Sequence, residues 1–293
     1  MTNRARAERA YLWFMLPSGL VIAAVLIYPL GYAIWLSFFG PQLAVGEARF
    51  VGLGNYLALL SDTRVWWSLV HTLVIVAASV ALQFVVGFAV AYALYRLARG
   101  ATTIATLAFV PHIVTPVVGA LFLRWMFAGR WGLIDGVLLT LGLPSPNWLG
   151  DPTWATVAVI LADSWRFTPF MMLVLYAGLT SLDTGVLEAA AVDGASGWAL
   201  LRNVILPLMK PIILFVLVIR TMDAIRFFDI IYVLTGGGPG TSTETVTLYT
   251  YALGFRTLET GKAAALGVLT LMLVAALLLG LVRVLYRRER GGF

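Results

Sequence analysis

Two groups of charged and aromatic side chains lie inside long apolar stretches, each with members at positions i, i+3, i+4 and i+7, so that each group shares one face of a helix. The first group is Asp163, Arg166, Phe167 and Phe170. The second group is Arg220, Asp223, Ala224 and Phe227. Charged groups can hydrogen-bond the hydroxyls of a polar solute, while phenyl rings pack on the C–H faces of a sugar. We therefore predict that Arg166, Phe167, Phe170 and the whole second group line a solute pathway.

The same charges have a structural interpretation. An ionisable group at membrane depth costs a few kcal/mol or more, so such groups usually face other polar groups inside a helix bundle. We assign Asp163, Arg226 and Asp229 to a charge network of this kind, in which Arg226 and Asp229 form a further i, i+3 pair. The sequence leaves open which charges contact a solute and which contact only each other.

The elements that carry these groups must be embedded in a membrane, because the composition is that of a membrane protein. Of the 293 residues, 61% are hydrophobic and 12% are charged, whereas a soluble domain has about a quarter charged residues. This excludes a cytosolic enzyme, a disordered protein and a disulfide-stapled secreted domain. The chain has no cysteine and two histidines, so we expect no metal site and interpret His71 and His112 as packing groups.

Six stretches contain the roughly 20 apolar residues that a helix needs to cross the hydrocarbon core of a bilayer. They cover about residues 11–39, 69–95, 103–127, 154–179, 205–234 and 263–286. No loop between them is long enough for a separate soluble domain, and neither broken helices nor an inverted repeat is evident. The sequence therefore predicts an all-α membrane protein with one six-helix transmembrane domain over residues 11–286.

Lysines and arginines are distributed asymmetrically over the two sides of these stretches. With the N-terminus inside, eleven fall on the cytoplasmic side, five on the other side and four at membrane depth. Positive charge is enriched in cytoplasmic loops, so this bias predicts that the N-terminal residues 1–10 and the C-terminal residues 287–293 are both cytoplasmic. The net charge of +6 therefore reflects membrane topology and gives no reason to expect a nucleic-acid partner.

The loop over residues 181–207 carries the most specific motif in the sequence. Glu188-Ala189-Ala190 is followed after three residues by Gly194, and after nine more by Val204-Ile205-Leu206-Pro207. Glutamate and alanine favour a short helix, glycine can end it, and Pro207 is expected where a new helix begins. By shape alone, this segment is an interfacial helix and turn that join two membrane spans.

This motif resembles the EAA loop of the membrane subunits of binding-protein-dependent ABC importers, with every element at the family's spacing. In that family the loop forms a coupling helix that docks on the ATPase subunit. The resemblance implies that Glu188 is the charged contact to the ATPase. The resemblance also places four neighbouring residues in the docking segment: Ala189, Ala190, Asp193 and Gly194. It also implies a MetI-like transmembrane domain of the type I importers.

A second resemblance narrows the family to carbohydrate importers, in the subunit similar to the maltose-type F permease. The segments 51–56, 165–172 and 228–239 all fit that subfamily. There, the positions that match the predicted pathway residues belong to sugar-contacting stretches. The glycine-rich run 236–240 lacks the Gly-Lys-Ser/Thr of a phosphate-binding loop, so we interpret it as a turn that caps the fifth span.

The resemblance implies a non-catalytic subunit that forms half of a pore with a second related permease. Two cytoplasmic ATPase subunits would bind ATP and Mg²⁺, so that this chain needs no cofactor of its own, and an extracytoplasmic binding protein would deliver the solute. The expected location is the cytoplasmic membrane of a bacterium or archaeon, the inner membrane in Gram-negative cells, with lipid around the chain. The expected solute is a mono- or oligosaccharide, a polyol or a sugar derivative.

Three alternatives stay open at this point. A related importer could carry a non-sugar polar solute such as glycerol phosphate. A secondary transporter working alone would be expected to have broken helices and an inverted repeat, and would leave the motif at Glu188 unexplained. A membrane enzyme would need a catalytic motif, but no Gly-x-Ser-x-Gly element, no His-Glu-x-x-His element and no pair of catalytic aspartates on facing spans stands out in the sequence.

Overall fold

The computed structural model of the chain describes residues 14–40, 49–97, 99–129 and 131–289. Throughout these ranges the regular secondary structure is helical, apart from an isolated antiparallel bridge between Phe39 and Phe50. This confirms the predicted all-α class. The predicted cytoplasmic N-terminus, residues 1–10, lies outside the described residues, as do residues 290–293 of the predicted C-terminal segment.

The described helices are numbered in chain order. The first half of the chain contains α1 (Phe14–Leu36), α2 (Gly54–Leu60), α3 (Thr63–Tyr95), α4 (Ala101–Ile113), α5 (Pro116–Met126) and α6 (Leu133–Thr140). The second half contains α7 (Pro152–Thr180), α8 (Thr184–Val192), α9 (Gly197–Ile225), α10 (Asp229–Leu234), α11 (Val246–Tyr251) and α12 (Thr260–Glu289). Wider π turns occur within α1 at Ala23–Ile27, within α9 at Leu201–Ile205, and after α11 at Ala252–Arg256.

Five of these helices are long and apolar enough to cross a membrane. They are α1, α3, α7, α9 and, over Thr260–Leu277, α12. The pair of α4 and α5 makes a sixth crossing if it is counted as one span, although its two halves meet at an angle of 91°. The six apolar stretches of the sequence therefore correspond to these elements, in agreement with the predicted fold class.

The third predicted stretch, residues 103–127, forms two helices separated by a break, whereas no broken helix is evident from the sequence. α4 ends at Ile113, the next two residues are extended with ψ of 132° and 142°, and α5 begins at Pro116. The residue before a proline is disfavoured in the helical region, and proline itself suits the first turn of a helix. Pro116 therefore ends one helix and starts the next, and the apolar composition of the stretch conceals the break.

The fifth predicted stretch, residues 205–234, also differs from the structure at both ends. The continuous span α9 begins at Gly197, before the predicted start, while its main α-helical part begins at Leu206, so that Pro207 lies in the first turn of that part as predicted. The π turn at Leu201–Ile205 precedes this proline, and such a turn is one way in which a helix accommodates a hydrogen bond that proline cannot donate. At its other end, α9 stops at Ile225, and a short break separates it from α10.

The glycine-rich run after α10 is a turn, as predicted. Gly236 and Gly237 have positive φ angles of 64° and 94°, and the Gly236 N–H donates to the carbonyl of Ile231 at 2.9 Å. Glycine adopts this left-handed conformation without Cβ strain, and the bond satisfies a carbonyl that the helix end leaves open. The turn caps α10 and not the long helix α9, because the fifth stretch is divided.

Contacts within the chain define two compact units. One comprises Met1–Val65 and Tyr249–Leu273, and the other comprises Trp66–Leu248 and Val274–Phe293. The loop over residues 181–207 belongs entirely to the second unit, and so do both groups of side chains that the sequence analysis places on helix faces. The candidate site is therefore a property of the second unit.

Hydrogen bonds from polar side chains organise the first unit. The Asn55 amide nitrogen donates to the backbone carbonyls of Ser37 and Phe39 at 2.8 Å and 2.7 Å. The Tyr249 hydroxyl donates to the carboxylate of Asp62. These bonds satisfy carbonyls that the end of α1 leaves without helical partners and fix the loop that precedes α3.

Helices α3, α7 and α9 form the core of the second unit. Its buried side chains include Val76, Met171, Leu175, Leu179, Met209 and Val216. α3 and α7 approach closely at Gly87, where a Cβ would lie 3.1 Å from the Met171 side chain and from the Met172 backbone nitrogen. Small residues permit such an approach between membrane helices, whose association depends on van der Waals packing.

Replacing Gly87 with valine is expected to lower the free energy of unfolding by about 1–3 kcal/mol, because the new side chain overpacks a contact that includes backbone. Gly267→Val is the matched control, since Gly267 is also inside a long helix but a Cβ there meets nothing within 4 Å. The melting temperatures of the two purified variants in the same detergent measure the difference. Equal melting temperatures would show that the helix crossing tolerates a larger residue.

Candidate functional site

The two helix faces singled out in the sequence meet at a buried ion pair. Arg220 on α9 contacts Asp163 on α7 through Nη2 and Oδ2, and the two side chains are 1% and 0% exposed. The amide nitrogen of Gln83 on α3 donates to Asp163 Oδ2 at 2.8 Å, and its amide oxygen accepts from Arg220 Nε at 2.8 Å. Gln83, Asp163 and Arg220 are called the buried cluster below. The buried cluster joins three membrane helices.

Gln83 is a member of the site that sequence analysis does not identify. It carries no charge and has no charged or aromatic residue at helical spacing on α3, so neither charge nor spacing indicates it. The sequence feature that could indicate Gln83 is its amide group, because no other side-chain amide occurs in the apolar stretch 73–95. A polar side chain at membrane depth usually contacts another polar group across a helix interface.

Arg220 also connects the buried cluster to more open side chains. Its Nη1 donates to Asp223 Oδ2 at 3.3 Å, and the Asp223 side chain is 47% exposed. Its guanidinium carbon lies 3.8 Å from the centre of the Phe167 ring, which is a cation–π contact. Arg220 therefore positions Asp223 and Phe167 while presenting little surface of its own.

A second set of contacts holds the break of the third span against α7. Arg166 Nε donates to the carbonyl of Val114 at 3.5 Å, a long hydrogen bond to a group at the end of α4 that lacks a helical partner. Nδ1 of His112 lies 3.2 Å from the backbone carbonyl oxygen of Arg166. The Arg166 guanidinium carbon also lies 4.7 Å from the centre of the Phe167 ring. The broken span thus contacts α7 at three of the predicted pathway residues, because the His112 ring also contacts the rings of Phe167 and Phe170.

Two cavities open beside these contacts. The first, of about 510 Å³, is lined by His112, Pro116, Arg166, Phe167, Asp223, Arg226, Phe227, Phe228, Asp229 and Ile230. The second, of about 330 Å³, is lined by His112, Phe167, Phe170, Ile219, Arg220, Met222, Asp223 and Arg226. Because His112, Phe167, Asp223 and Arg226 line both, the cavities form one polar and aromatic region. Their volumes lie in the range of small-molecule clefts.

Six of the seven predicted pathway residues line one or both cavities. They are Arg166, Phe167, Phe170, Arg220, Asp223 and Phe227. Ala224 does not line either cavity, because it is fully buried in the hydrophobic core of the second unit. It lies one turn beyond Arg220, and neighbouring side chains cover this part of α9. The contact of the six residues with a solute stays a prediction.

The charge network predicted from the sequence is divided in the structure. Asp163 is paired with Arg220 in the buried cluster. Arg226 and Asp229 are exposed and line the first cavity, and neither forms a salt bridge with a residue in the described ranges. The reason is the break after Ile225: Arg226 follows the end of α9 and Asp229 starts α10, so the two residues do not share a helix.

The first cavity carries balanced charges. Arg166 and Arg226 supply guanidinium donors, while Asp223 and Asp229 supply carboxylate acceptors. Over the described ranges, no group of three or more His, Cys, Asp or Glu side chains is arranged to hold a metal ion. A mixture of donors, acceptors and phenyl rings suits a neutral solute with many hydroxyl groups better than it suits a strongly charged one.

The loop that carries the EAA motif contains the short helix that its sequence indicates. α8 begins after Asp183, whose carboxylate accepts a hydrogen bond from the Gly185 N–H at 2.8 Å, and it ends at Val192. Gly194 follows with a φ of +84°. Gly194 thus lies two residues beyond the last residue of α8, in the left-handed conformation that favours glycine, where it turns the chain after the helix.

The motif lies on an open surface of the second unit. Its exposed residues are Glu188, Ala189, Asp193 and Gly194, and Ala190 is half-buried. Two large apolar side chains on the same loop are also open, with Val192 88% exposed and Trp198 70% exposed. Exposed apolar side chains beside charged ones are typical of a protein–protein contact surface.

The inner side of α8 belongs to the packed core. Leu187 contacts the hydrophobic cluster of α7 and α9, which Phe170 and Phe227 also contact at the cavities. A continuous set of packed side chains therefore connects the exposed loop with the cavity region. Packed elements of this kind can transmit a displacement from one end to the other, because close-packed cores do not deform freely.

The chain is similar to permease proteins of several transport systems. Residues 74–291 match the family described as binding-protein-dependent transport system inner membrane component. The trehalose/maltose transport system permease protein MalF of Thermococcus litoralis is 36% identical over 279 residues, which cover 94% of this chain and 93% of that protein. The trehalose transport system permease protein SugA of Mycobacterium tuberculosis is 39% identical over 287 residues, covering 94% and 89%. The lactose transport system permease protein LacF of Rhizobium radiobacter is 30% identical over 286 residues, covering 94% and 95%.

Two solved structures share the fold. A chain of a bacterial ABC transporter involved in the import of the acidic polysaccharide alginate has a TM-score of 0.83 at 22% identity, covering 97% of this chain and 98% of that chain. A chain of a bacterial alginate ABC transporter in complex with an alginate pentasaccharide-bound periplasmic protein has a TM-score of 0.81 at 20% identity, covering 95% and 94%. At these identities the likeness establishes the fold alone.

Proposed function

Since the chain belongs to the family of binding-protein-dependent transport system inner membrane components, we propose that it is the permease subunit of an ATP-driven importer that carries a sugar. The sugar that we propose is a glucose disaccharide of the trehalose and maltose kind. This choice rests on the relatives named for trehalose and maltose, which are 36% and 39% identical over 94% of the chain. The observation that carries the pathway is the cavity region with its balanced charges and phenyl rings.

The cavity region suits a disaccharide for three physical reasons. Asp223 and Asp229 can accept hydrogen bonds from sugar hydroxyls, while Arg166 and Arg226 can donate two parallel bonds to neighbouring hydroxyl oxygens. Phe167 and the other phenyl rings offer apolar faces to sugar C–H groups. The first cavity, of about 510 Å³, is large enough for a ligand of this class.

The proposal includes the partners that a pore of this family requires. This chain forms half of the translocation pore, and a second, related permease forms the other half. Two cytoplasmic ATPase subunits bind ATP and Mg²⁺ and hydrolyse ATP, so that the chain is a non-catalytic subunit. An extracytoplasmic solute-binding protein delivers the sugar. The complex lies in the cytoplasmic membrane of a bacterium or archaeon, with both termini of this chain on the cytoplasmic side.

We assign contact with the ATPase to the exposed side of α8. Glu188 supplies the charged contact, and the small side chains of Ala189 and Ala190 permit close approach of the partner. Val192 and Trp198 add apolar area that is open in this chain. Such a surface combines the specificity of a charge pair with the affinity of apolar burial.

The structure disfavours the two remaining transport alternatives. A glycerol phosphate would bring about two negative charges into a cavity where the guanidinium groups of Arg166 and Arg226 are already balanced by the carboxylates of Asp223 and Asp229, so the loaded cavity would carry an excess of negative charge. A stand-alone secondary transporter is compatible with the broken third span, but it leaves the exposed motif at Glu188 without a role. The importer gives that motif a role in contacting the ATPase subunit.

Deleting the gene in its native host is expected to abolish the uptake of radiolabelled trehalose, because half of the pore is then missing. A plasmid that carries the wild-type gene restores uptake and serves as the control. Maltose, lactose and glycerol 3-phosphate are tested in parallel to define the solute. If the deletion strain loses glycerol 3-phosphate uptake but transports all three sugars normally, the sugar assignment is contradicted. The proposal that the chain is an importer subunit would still hold.

A further inference from the structure

His112 lies at the end of α4, where the third span breaks, and its ring is surrounded by aromatic side chains. The ring centres of Phe109, Phe167 and Phe170 lie 5.0 Å, 5.2 Å and 5.5 Å from that of His112. The ring is half-buried, and it is one of the four side chains that line both cavities. Packing, the role predicted for His112 from the sequence, explains only part of this environment.

The hydrogen bond of Nδ1 defines which nitrogen of the ring carries the proton. Nδ1 lies 3.2 Å from the backbone carbonyl oxygen of Arg166, and a carbonyl oxygen can only accept a hydrogen bond. Nδ1 is therefore the donor. In the neutral imidazole the other nitrogen, Nε2, then carries a lone pair and acts as an acceptor.

Nε2 is accessible from the cavity region. No hydrogen bond joins it to a residue in the described ranges, and it is not among the buried polar atoms that lack a partner. It differs from the other acceptors, because Asp223 and Asp229 are carboxylates, whereas Nε2 belongs to a neutral imidazole ring that contacts the rings of Phe167 and Phe170. A hydroxyl that donates to Nε2 would at the same time place its sugar ring beside Phe167 and Phe170.

We propose that His112 binds the transported sugar directly, with Nε2 accepting a hydrogen bond from a sugar hydroxyl. This assignment rests on the proposed function, because it concerns the same solute. The bond from Nδ1 to the Arg166 carbonyl fixes the orientation of the ring, so that Nε2 faces the cavity before the sugar arrives. His112 is then a specificity-determining residue for a hydroxyl that is placed next to an apolar sugar face.

Asparagine and glutamine at position 112 separate sugar binding from positioning of the third span. Asparagine can place an amide N–H near the position of Nδ1 and keep the bond to the Arg166 carbonyl, but it cannot reach the position of Nε2. Glutamine reaches the position of Nε2 with a group that can accept a hydrogen bond. His71→Gln is the matched control, since His71 is the only other histidine of the chain and lines neither cavity.

The variants are tested in proteoliposomes that contain the whole transporter, at saturating trehalose-loaded binding protein. The trehalose taken up and the ATP hydrolysed are measured together, and their ratio reports how well the pore retains the sugar. His112→Asn is expected to lower this ratio roughly twofold to tenfold, as for the loss of one hydrogen bond between neutral groups. His112→Gln is expected to restore most of it, and His71→Gln to leave it unchanged.

Two results would overturn the assignment. If His112→Asn and His112→Gln both keep the wild-type ratio of trehalose uptake to ATP hydrolysis, no sugar contact is lost in either variant. If His112→Asn keeps the wild-type ratio and His112→Gln lowers it, His112 only positions the third span. A wild-type transporter that moves neither trehalose nor maltose contradicts the proposed function itself, and with it the contact between His112 and a sugar.

Chemical modification tests the same proposal without any change at position 112. In the His71→Gln transporter, His112 is the only histidine of this chain, and diethyl pyrocarbonate acylates an accessible imidazole nitrogen. Peptide mass spectrometry then measures the modified fraction of His112 with and without trehalose-loaded binding protein and ATP. Protection by trehalose supports the contact, and an equal modified fraction under both conditions contradicts it.

Discussion

Asp163→Asn is expected to lower the free energy of unfolding by about 3–5 kcal/mol, because it leaves a buried charge without its partner. The amide has nearly the shape of the carboxylate but not its charge. Arg220 would then keep a guanidinium that is 1% exposed and lacks a buried counter-ion. At about 2–4 °C per kcal/mol for a domain of this size, the melting temperature of the purified protein should fall by roughly 10 °C.

A double-mutant cycle distinguishes loss of the ion pair from a general effect of mutation in the bundle. Arg220→Met should destabilise the protein about as much as Asp163→Asn, since it leaves the Asp163 carboxylate buried and unpaired. The cycle consists of Asp163→Leu, Arg220→Met and the double variant that combines them. The double variant removes both charges and should recover most of the lost stability, because apolar residues of similar volume can replace a buried pair. If the double variant loses as much free energy of unfolding as the two single variants together, Asp163 and Arg220 do not stabilise the protein as a pair.

Asp223 provides the matched control for Asp163, since both carboxylates contact the same guanidinium. Its side chain is 47% exposed, whereas that of Asp163 is 0% exposed. An open pair contributes about 0–1 kcal/mol, so Asp223→Asn should change the melting temperature little. Its effect should appear in trehalose uptake. Equal thermal destabilisation by Asp163→Asn and Asp223→Asn would contradict the division into a buried cluster and a cavity lining.

Much of the candidate site can be predicted because helical spacing is a local property. The i, i+3, i+4, i+7 pattern on α7 places Arg166, Phe167 and Phe170 on one side of the helix whatever surrounds it, and all three line a cavity. The same spacing does not bring Ala224 to a cavity in this structure, since Ala224 shares its face with Arg220 but is covered by its neighbours. Spacing defines a face, but the tertiary packing of other helices decides how much of that face stays open.

The features that sequence analysis does not identify depend on contacts between distant parts of the chain. Gln83 acquires its role only because Asp163 and Arg220 meet it from two other helices. His112 acquires its role because the third span breaks and turns its ring towards α7. The break itself has a local signal in Pro116, but proline is tolerated inside membrane helices, so the signal does not distinguish a break from a continuous span.

Glu188→Lys is expected to reduce trehalose uptake by the whole transporter about thirtyfold or more, because it reverses the one charge that we assign to the ATPase contact. Truncating one partner of a charge pair at an interface costs about 2 kcal/mol or more, which corresponds to this factor, and a repulsive charge adds to the loss. Lysine is as good a helix former as glutamate, so α8 itself should persist. Uptake, ATP hydrolysis and co-purification of the ATPase subunits are measured on the same preparation.

Two controls separate the charge of Glu188 from the integrity of α8. Glu188→Gln keeps the length and helix propensity of the side chain and removes the charge, so its effect should be intermediate between wild type and Glu188→Lys. Val192→Ala tests the apolar part of the same exposed surface without changing any charge, and it should weaken co-purification only modestly. Wild-type uptake and co-purification by Glu188→Lys would refute the coupling role.

The outcome of Glu188→Lys also bears on the packed connection between the loop and the cavities. Leu187 fixes the inner side of α8 to the core that reaches Phe170 and Phe227, so a force applied at Glu188 acts on a segment that cannot move independently of α7 and α9. If the ATPases bind normally but uptake is lost, the charge transmits motion without contributing to affinity. If both the co-purification of the ATPase subunits and the uptake of trehalose fall, the charge of Glu188 contributes to the affinity between this chain and the ATPase. In either case the exposed side chain of Glu188, and not the buried cluster, would be the point at which ATP hydrolysis acts on this subunit, because two sites are coupled through an element that both of them bias.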